Sequence, residues 1–274
     1  MYTEYQPSHL LVPYIDNYWE FKGNPDYGMR IHILPDGCTD FIFTLGEVAN
    51  AVEEGSLMMQ PYRSYFVGPM TKYSELVTYT ESIHMFGVRF LPCGLSCFTN
   101  LPLHEFVNSR VSTNEMKAVF DDTFIERLGE QKHVADRIRV VEEYLLAYLA
   151  CHYQPTDSHV AMAVNMINHS EGKRSVRSLM DDVCLCQRHF ERKFKHYTGF
   201  TPKEYSRIVK FKNAVELLRT TTSANLLTTA VDAGYYDLAH FSKEIKSMSG
   251  NTPASFLSLT VPEETTLTYI EPQR

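Results

Sequence analysis

Along the first hundred residues the apolar positions come in short bursts, and beyond them they settle into a helical period. Asp40–Leu45, Ser64–Val67, Glu75–Thr80 and Ile83–Phe90 are brief runs rich in β-branched and aromatic residues. Turn signals such as Pro35-Asp36-Gly37 and Gly68-Pro69 punctuate them, a spacing that predicts a small antiparallel sheet or barrel. From about Asn114 the pattern changes. Val134, Ile138, Val141, Leu145 and Tyr148 recur at helical spacing beside charged Arg137, Arg139, Glu142 and Glu143. This seam predicts a helical hairpin or linker helix, serving either to pack on the sheet or to form a dimer interface.

Gln154-Pro-Thr-Asp-Ser158 breaks the helical pattern, and everything after it is helical in period. Ser175 is placed to cap a helix carrying Val176, Leu179, Met180 and Val183. A second helix spans about 187–197. Thr201-Pro-Lys-Glu204 reads as a capping box opening a long helix, about 201–219, with Tyr205, Ile208, Val215 and Leu218 inward. A short helix at about 225–232 leads through Gly234 to another at about 238–249, capped by Asp237, and Thr252-Pro253 opens a last one.

Within this half the chain repeats itself. Residues 189–205, HFERKFKHYTGFTPKEY, recur without a gap as residues 240–256, HFSKEIKSMSGNTPASF. Self-similarity at a fixed register marks one supersecondary unit used twice. Each copy reads as an amphipathic helix, a Gly suited to a left-handed C-terminus, and a Thr-Pro start for the next helix.

Charge separates the two halves. The formal net charge of the chain is −7, yet residues 1–157 hold 11 Lys/Arg against 21 Asp/Glu while residues 158–260 hold 14 against 9. A basic module on an acidic body approaches a polyanion with one face only. The six cysteines (Cys38, Cys93, Cys97, Cys151, Cys184, Cys186) lack C-x-x-C spacing, and no leading apolar segment is present. These features read as reduced thiols in a cytoplasmic protein without a metal site. No apolar run reaches the ~18 residues of a membrane span, so no membrane association is expected.

Two repeated units of this kind point to helix-turn-helix recognition of double-stranded DNA, in which the second helix of each unit lies in the major groove. In the first, Phe190, Phe194 and Tyr197 form the buried stripe, and Arg188, Glu191, Arg192 and Lys195 occupy the other face. Arg188 and Arg192 suit guanine and Glu191 suits cytosine, whereas Lys193 and Lys195 suit phosphates. The second copy buries Phe241, Ile245 and Met248 and offers Leu238, Ala239, His240, Ser242 and Lys243, a set better matched to thymine methyl contact. The connecting helix, at about 1.5 Å per residue, is a strut of about 28 Å. One DNA turn is about 34 Å, so a single protomer can reach two successive groove segments.

At these residues the chain resembles the AraC/XylS family of bacterial transcription regulators. Gly234-Tyr-Tyr-Asp-Leu-Ala-His-Phe-Ser-Lys243, then Lys246, Gly250-Asn-Thr-Pro253 and Phe256, is similar to that family's C-terminal signature, and 175–205 to its first helix-turn-helix. The resemblance implies base-reading positions at Arg188, Glu191 and Arg192, and at Leu238, Ala239, His240 and Lys243. Three residues depart from the family pattern: Cys186 stands where a capping Ser is usual, Ile245 where Phe is usual, and Leu238 where a polar residue is common. Leu34-Pro-Asp-Gly-Cys-Thr-Asp-Phe-Ile-Phe43, Phe66-Val-Gly-Pro69 and Gly87-Val-Arg-Phe90 resemble the sensor half of one branch of the family, implying a mainly β domain that binds an effector or dimerises.

The expected chain is therefore multidomain α and β. A mainly antiparallel, barrel-like effector-binding or dimerisation domain (1–153) ends in the helical hairpin or linker helix and is followed by a linker (154–158). An all-α DNA-binding domain (159–260) then carries helix-turn-helix units at about 175–197 and 225–249, with a tail at 261–274. The expected partners are double-stranded DNA, a second copy of the chain, RNA polymerase and a small-molecule effector, with no cofactor. Arg89, alternating with Val88 and Phe90, is the candidate for an anionic effector. The rival reading is a small-molecule-modifying or ligand-binding β-barrel whose helical repeat is a protein-interaction module. Its candidate groups are His32, Asp36, Asp40, His84 and Arg89, but no His-x-His pair, phosphate-binding glycine loop or nucleophile elbow accompanies them.

Overall fold

A computed structural model describes residues 2–48, 50–51, 58–116, 119–120, 122–183, 185–220, 226–257 and 268–271. Cys184, residue 225 of the predicted fourth helix of the second half, and most of the 261–274 tail lie outside these residues. The strands are β1 (Tyr2–Tyr5), β2 (Ile15–Gly23), β3 (Met29–Ile33), β4 (Thr39–Thr44), β5 (Asn50–Ala51), β6 (Ser64–Val67), β7 (Ser74–Thr78), β8 (Ile83–Phe90), β9 (Arg110–Ser112) and β10 (Thr268–Glu271). The helices are α1 (Asp122–Gly129), α2 (Val134–His152), α3 (Ser158–His169), α4 (Val176–Val183), α5 (Gln187–Thr198), α6 (Pro202–Thr220), α7 (Leu226–Asp232), α8 (Leu238–Ser249) and α9 (Pro253–Leu257).

Two antiparallel sheets form around the N-terminal half, one ordered β1-β2-β8-β4-β6-β9 and the other β10-β3-β7-β5, in which β10 comes from the C-terminal tail. Among the described residues they do not close on each other, which corrects the barrel-like expectation to an open sandwich. The physical reason lies in β8. It is buried at nearly every position, because Phe86, Val88 and Phe90 face the helices while Ile83 and Met85 face the second sheet. A sheet covered on both faces satisfies its apolar residues by layering, without curling its edges together.

The seam on α2 belongs to the outer layer of this sandwich. Val141 and Leu145 are fully buried, and Val134, Ile138 and Tyr148 pack partly buried against the same core as Phe86 and Phe90. Burying each of the two aliphatic chains stabilises the fold by roughly 1.5–3 kcal/mol. Arg137, also buried, donates to Glu20 Oε1 at 2.9 Å, and His84 Nε2 lies 3.0 Å from the same oxygen. This cluster pins the start of α2 to the sheet.

Helices α3 to α9 build the second half around Phe190, Phe194, Phe200, Ile208, Phe211, Phe241, Ile245 and Phe256, all at 0–1 % exposure. The N-terminal half contributes to this core as well, through Leu34 and Cys93. Cys38, Cys93, Cys97, Cys151 and Cys186 are free thiols. No helix among the described residues is long and apolar enough to cross a membrane.

Candidate nucleic-acid interface

The elements around the two repeat helices follow from identifiable caps. Ser175 Oγ accepts from Ser178 N–H at 3.1 Å and starts α4. Thr201 and Glu204 form a reciprocal box at the start of α6: Thr201 N–H donates to Glu204 Oε2 at 2.7 Å and Glu204 N–H donates to Thr201 Oγ1 at 3.1 Å. Asp237 Oδ1 accepts from His240 N–H at 2.7 Å and starts α8. Cys186 also occupies an N-cap position with extended backbone, but its side chain makes no capping bond, as expected of a weak sulfur acceptor.

On α5, Phe190 and Phe194 are fully buried and Tyr197 is only partly so, a shorter stripe than the predicted one. Arg188, Arg192 and Lys195 are exposed, and the half-buried Glu191 accepts from Gln187 Nε2 at 2.9 Å. Lys193 does not share their face. It pairs with Asp157, whose carboxylate also caps α3, so the expected phosphate role falls away for this lysine. Burial raises the Asp157 carboxyl, and the Lys193 ammonium with the Val160 and His159 N–H groups outweighs it, leaving the group below the ordinary carboxylate range.

On α8, Phe241, Ile245 and Met248 are buried, while Leu238, Ala239, His240 and Lys243 are exposed and Ser242 is half-buried. Between the two helices runs α6, with Tyr205, Ile208, Phe211, Val215 and Leu218 turned into the core. Beside α6 lies an open groove of about 610 Å³. Loop 172–176 lines one side of it, and Lys203, Arg207, Lys210, Tyr235, His240 and Glu244 line the rest. Arg207 donates to both Glu244 oxygens at 3.1 and 3.2 Å.

The N-terminal half touches the far ends of both repeat helices. Gly199 and Gly250, in left-handed conformation, terminate α5 and α8. Pro69 fills the space at Gly199 and Tyr73 the space at Gly250. Tyr73 N–H also donates to the Met248 carbonyl at 2.8 Å, and its ring stacks on His32 at 5.4 Å. Periodicity could not show this clamp, because residues 69–73 are a loop whose partners lie far along the chain.

The groups considered for an enzyme separate into two kinds. His32 pairs with Glu75 and His84 with Glu20, so neither joins a reactive cluster. Asp36, Asp40 and Arg89 do converge: Arg89 Nε lies 3.2 Å from Asp40 Oδ1 and 3.7 Å from Asp36 Oδ2. Trp19 Nε1 donates to Asp40 Oδ1 at 2.7 Å. Burial raises the Asp40 carboxyl and the Arg89 charge opposes that. Arg89 is 4 % exposed, its Nη1 lacks a hydrogen-bond partner, and it lines a small cavity of about 40 Å³ among Trp19, Phe21, Ile31, Leu76 and Met85. No group of three or more His, Cys, Asp or Glu among the described residues could hold a metal ion.

Comparison with known proteins accords with this division. Residues 179–258 match a helix-turn-helix domain family, and residues 3–112 match a domain of unknown function (DUF6597). ToxT from Vibrio cholerae superposes with a TM-score of 0.52 at 9 % identity, over 88 % of this chain and 97 % of that one. A probable AraC family transcriptional regulator from Rhodopseudomonas palustris matches at 20 % identity and a TM-score of 0.34, over 37 % of this chain and 95 % of that one. The xylose-binding transcription activator XylR matches at 25 % identity and a TM-score of 0.35, over 38 % and 27 % respectively. Among curated protein sequences nothing matches.

Fold and domain match define the class, a chain that joins a C-terminal helix-turn-helix domain to two antiparallel sheets. The helix-turn-helix domain follows an N-terminal β domain that matches a domain family of unknown function.

Proposed function

We propose that one protomer reads DNA sequence at two adjacent major-groove segments, with the N-terminal part of α5 in one and that of α8 in the next. The observation that carries this reading is the shared design of the two helices. Each buries an apolar stripe, Phe190/Phe194 in one and Phe241/Ile245/Met248 in the other, and leaves the opposite face, Arg188/Arg192/Lys195 and Leu238/Ala239/His240/Lys243, open to solvent. Glu191 and Ser242 complete the two reading sets. Arg188→Ala or Arg192→Ala is expected to cost about 1–3 kcal/mol on a selected operator and to relax preference at one base pair. Equal loss on random duplex would reduce these residues to phosphate contacts.

The N-terminal half we read as the control element, acting through an effector, through dimerisation, or through both, and passing its state to RNA polymerase in the cytoplasm by way of the bound DNA. No catalytic role is assigned to it. The unpartnered Nη1 of Arg89, a residue lining a cavity of about 40 Å³, supports an effector no larger than a small anion. A ligand binding only the folded chain raises stability by about 2.7 kcal/mol at a hundredfold excess over its Kd. Thermal shifts of the full chain against organic acids test this, and a flat response across them would leave dimerisation as the sole role.

A further inference from the structure

Two recognition helices one helical turn apart leave a stretch of duplex between them, and its sugar-phosphate backbone must cross the strut. We propose that the groove beside α6 is the seat for that backbone, a third DNA contact made through Lys203 and Lys210. The proposal rests on the reading of α5 and α8 given above.

Lys203, Arg207 and Lys210 fall at i, i+4 and i+7 and so share roughly 60° of the helix circumference. Tyr205 and Lys212 lie about half a turn away, on the side the N-terminal half occupies: Tyr205 packs at Gly37 and the Lys212 charge acts on Asp16. The cationic stripe is thus on the open side of the strut. His240, at the reading end of α8, lines the same groove, which puts the groove next to the DNA-facing surface.

Charge in the groove is mostly cancelled, with two exceptions. Arg207 is held by Glu244, Lys173 by Glu171 and Arg174 by Asp182. Among the described residues Lys210 Nζ meets only neutral groups, the Gly234 carbonyl at 3.2 Å and the Tyr235 ring at 5.6 Å from its centroid. Lys203 is exposed and shares the groove. Two uncompensated ammonium groups about two turns apart on one helix face match a polyanion better than a single small anion. The second observation is Tyr235. It is 4 % exposed, it lines the groove, and its hydroxyl is buried without a hydrogen-bond partner. Such a group requires an explanation. The hydroxyl is closed to solvent in the free protein, and a phosphate oxygen becomes its acceptor only when the Lys210 chain, which lies over the ring, moves out to the DNA backbone.

The test is the salt dependence of binding by the full chain, measured on a selected operator and on random duplex of equal length. Each neutralised phosphate contributes about 0.9 to the slope of log K against log salt. Lys203→Ala and Lys210→Ala should each lower the slope by about one and the double variant by about two, with the ratio of operator to random binding unchanged. Glu244→Gln, which releases Arg207, should steepen it by about one. Tyr235→Phe should weaken both duplexes with the slope kept; since that hydroxyl has no partner in the free protein, thermal stability should not fall. A wild-type slope in the double variant, while the wild type still selects sequence, overturns the proposal. Loss of selectivity by the wild type itself would instead sink the underlying reading. Binding of inorganic pyrophosphate by the free protein, abolished in the double variant while the slope stays put, would assign the groove to a small phosphorylated ligand and likewise overturn it.

Discussion

Gly250→Ala tests whether the N-terminal half grips the second repeat helix. Gly250 has φ +75°, and a Cβ there would lie 2.7 Å from Cζ and 2.9 Å from Cε1 of Tyr73. Gly234 is a matched control, with φ +81° and only the flexible Lys173 side chain nearby at 2.9 Å. Both substitutions incur the left-handed strain of about 1–2 kcal/mol. Gly250→Ala must in addition push the Tyr73 ring aside. That disturbs the Tyr73–Met248 backbone bond, about 1 kcal/mol, and the stacking on His32, about 0.5–1.5 kcal/mol. The expected excess over Gly234→Ala is therefore about 1–3 kcal/mol. Urea unfolding provides two independent readouts. The chain has one tryptophan, Trp19, whose fluorescence reports the sheets, while far-UV circular dichroism reports mainly the helices. The two transitions should coincide in the wild type and in Gly234→Ala and separate in Gly250→Ala. Equal midpoints and coincident transitions in both variants would refute the clamp.

Two further perturbations address the reading helices. Cys186→Ser supplies the acceptor that the N-cap of α5 lacks and should stabilise the chain by about 0.5–1 kcal/mol, while Asp237→Ala removes the one that α8 has and should cost about 1 kcal/mol; thermal unfolding distinguishes them, and equal signs would contradict the capping argument. Acidification should loosen the contact between the halves at His196. Its Nε2 meets Asn100 at 3.0 Å, and burial first, then neighbouring His104, hold the imidazole below its ordinary 6.5 against the opposing pull of Glu105. The folded state resists that proton, so the contribution is complete above pH 6.5 and is lost as pH falls through the lowered value. His196→Gln should flatten the stability curve in that window, and an unaltered curve would exclude this histidine.

How much of this was legible depended on whether a residue's role was set by near neighbours in sequence. Helix α8 was readable to the residue, because Asp237, the Phe241/Ile245/Met248 stripe and Gly250 all act within a few positions. The strand β2, Ile15-Asp-Asn-Tyr-Trp-Glu-Phe-Lys-Gly, escaped notice. Its sheet is buried on both faces, and a register shift between Ile15 and Asn17 breaks what alternation remains. Strand β10 pairs with β3 across most of the chain, a contact that no local pattern announces. Lys193 shows the same limit for sites: periodicity placed it on a helix surface, but Asp157, which claims it, comes from another helix start. The Lys203/Arg207/Lys210 stripe was present at helical spacing, and it gained meaning only once the opposite side of α6 was seen to be occupied.

Hydroxyl-radical footprinting of the full chain on an operator selected from random oligonucleotides addresses the central claim most directly. One bound protomer should protect two stretches on the same face of the duplex, about one helical turn apart, with protected phosphates between them where the strut crosses. Protection confined to about half a turn, or binding without preference for any sequence, would contradict a protomer that reads two groove segments.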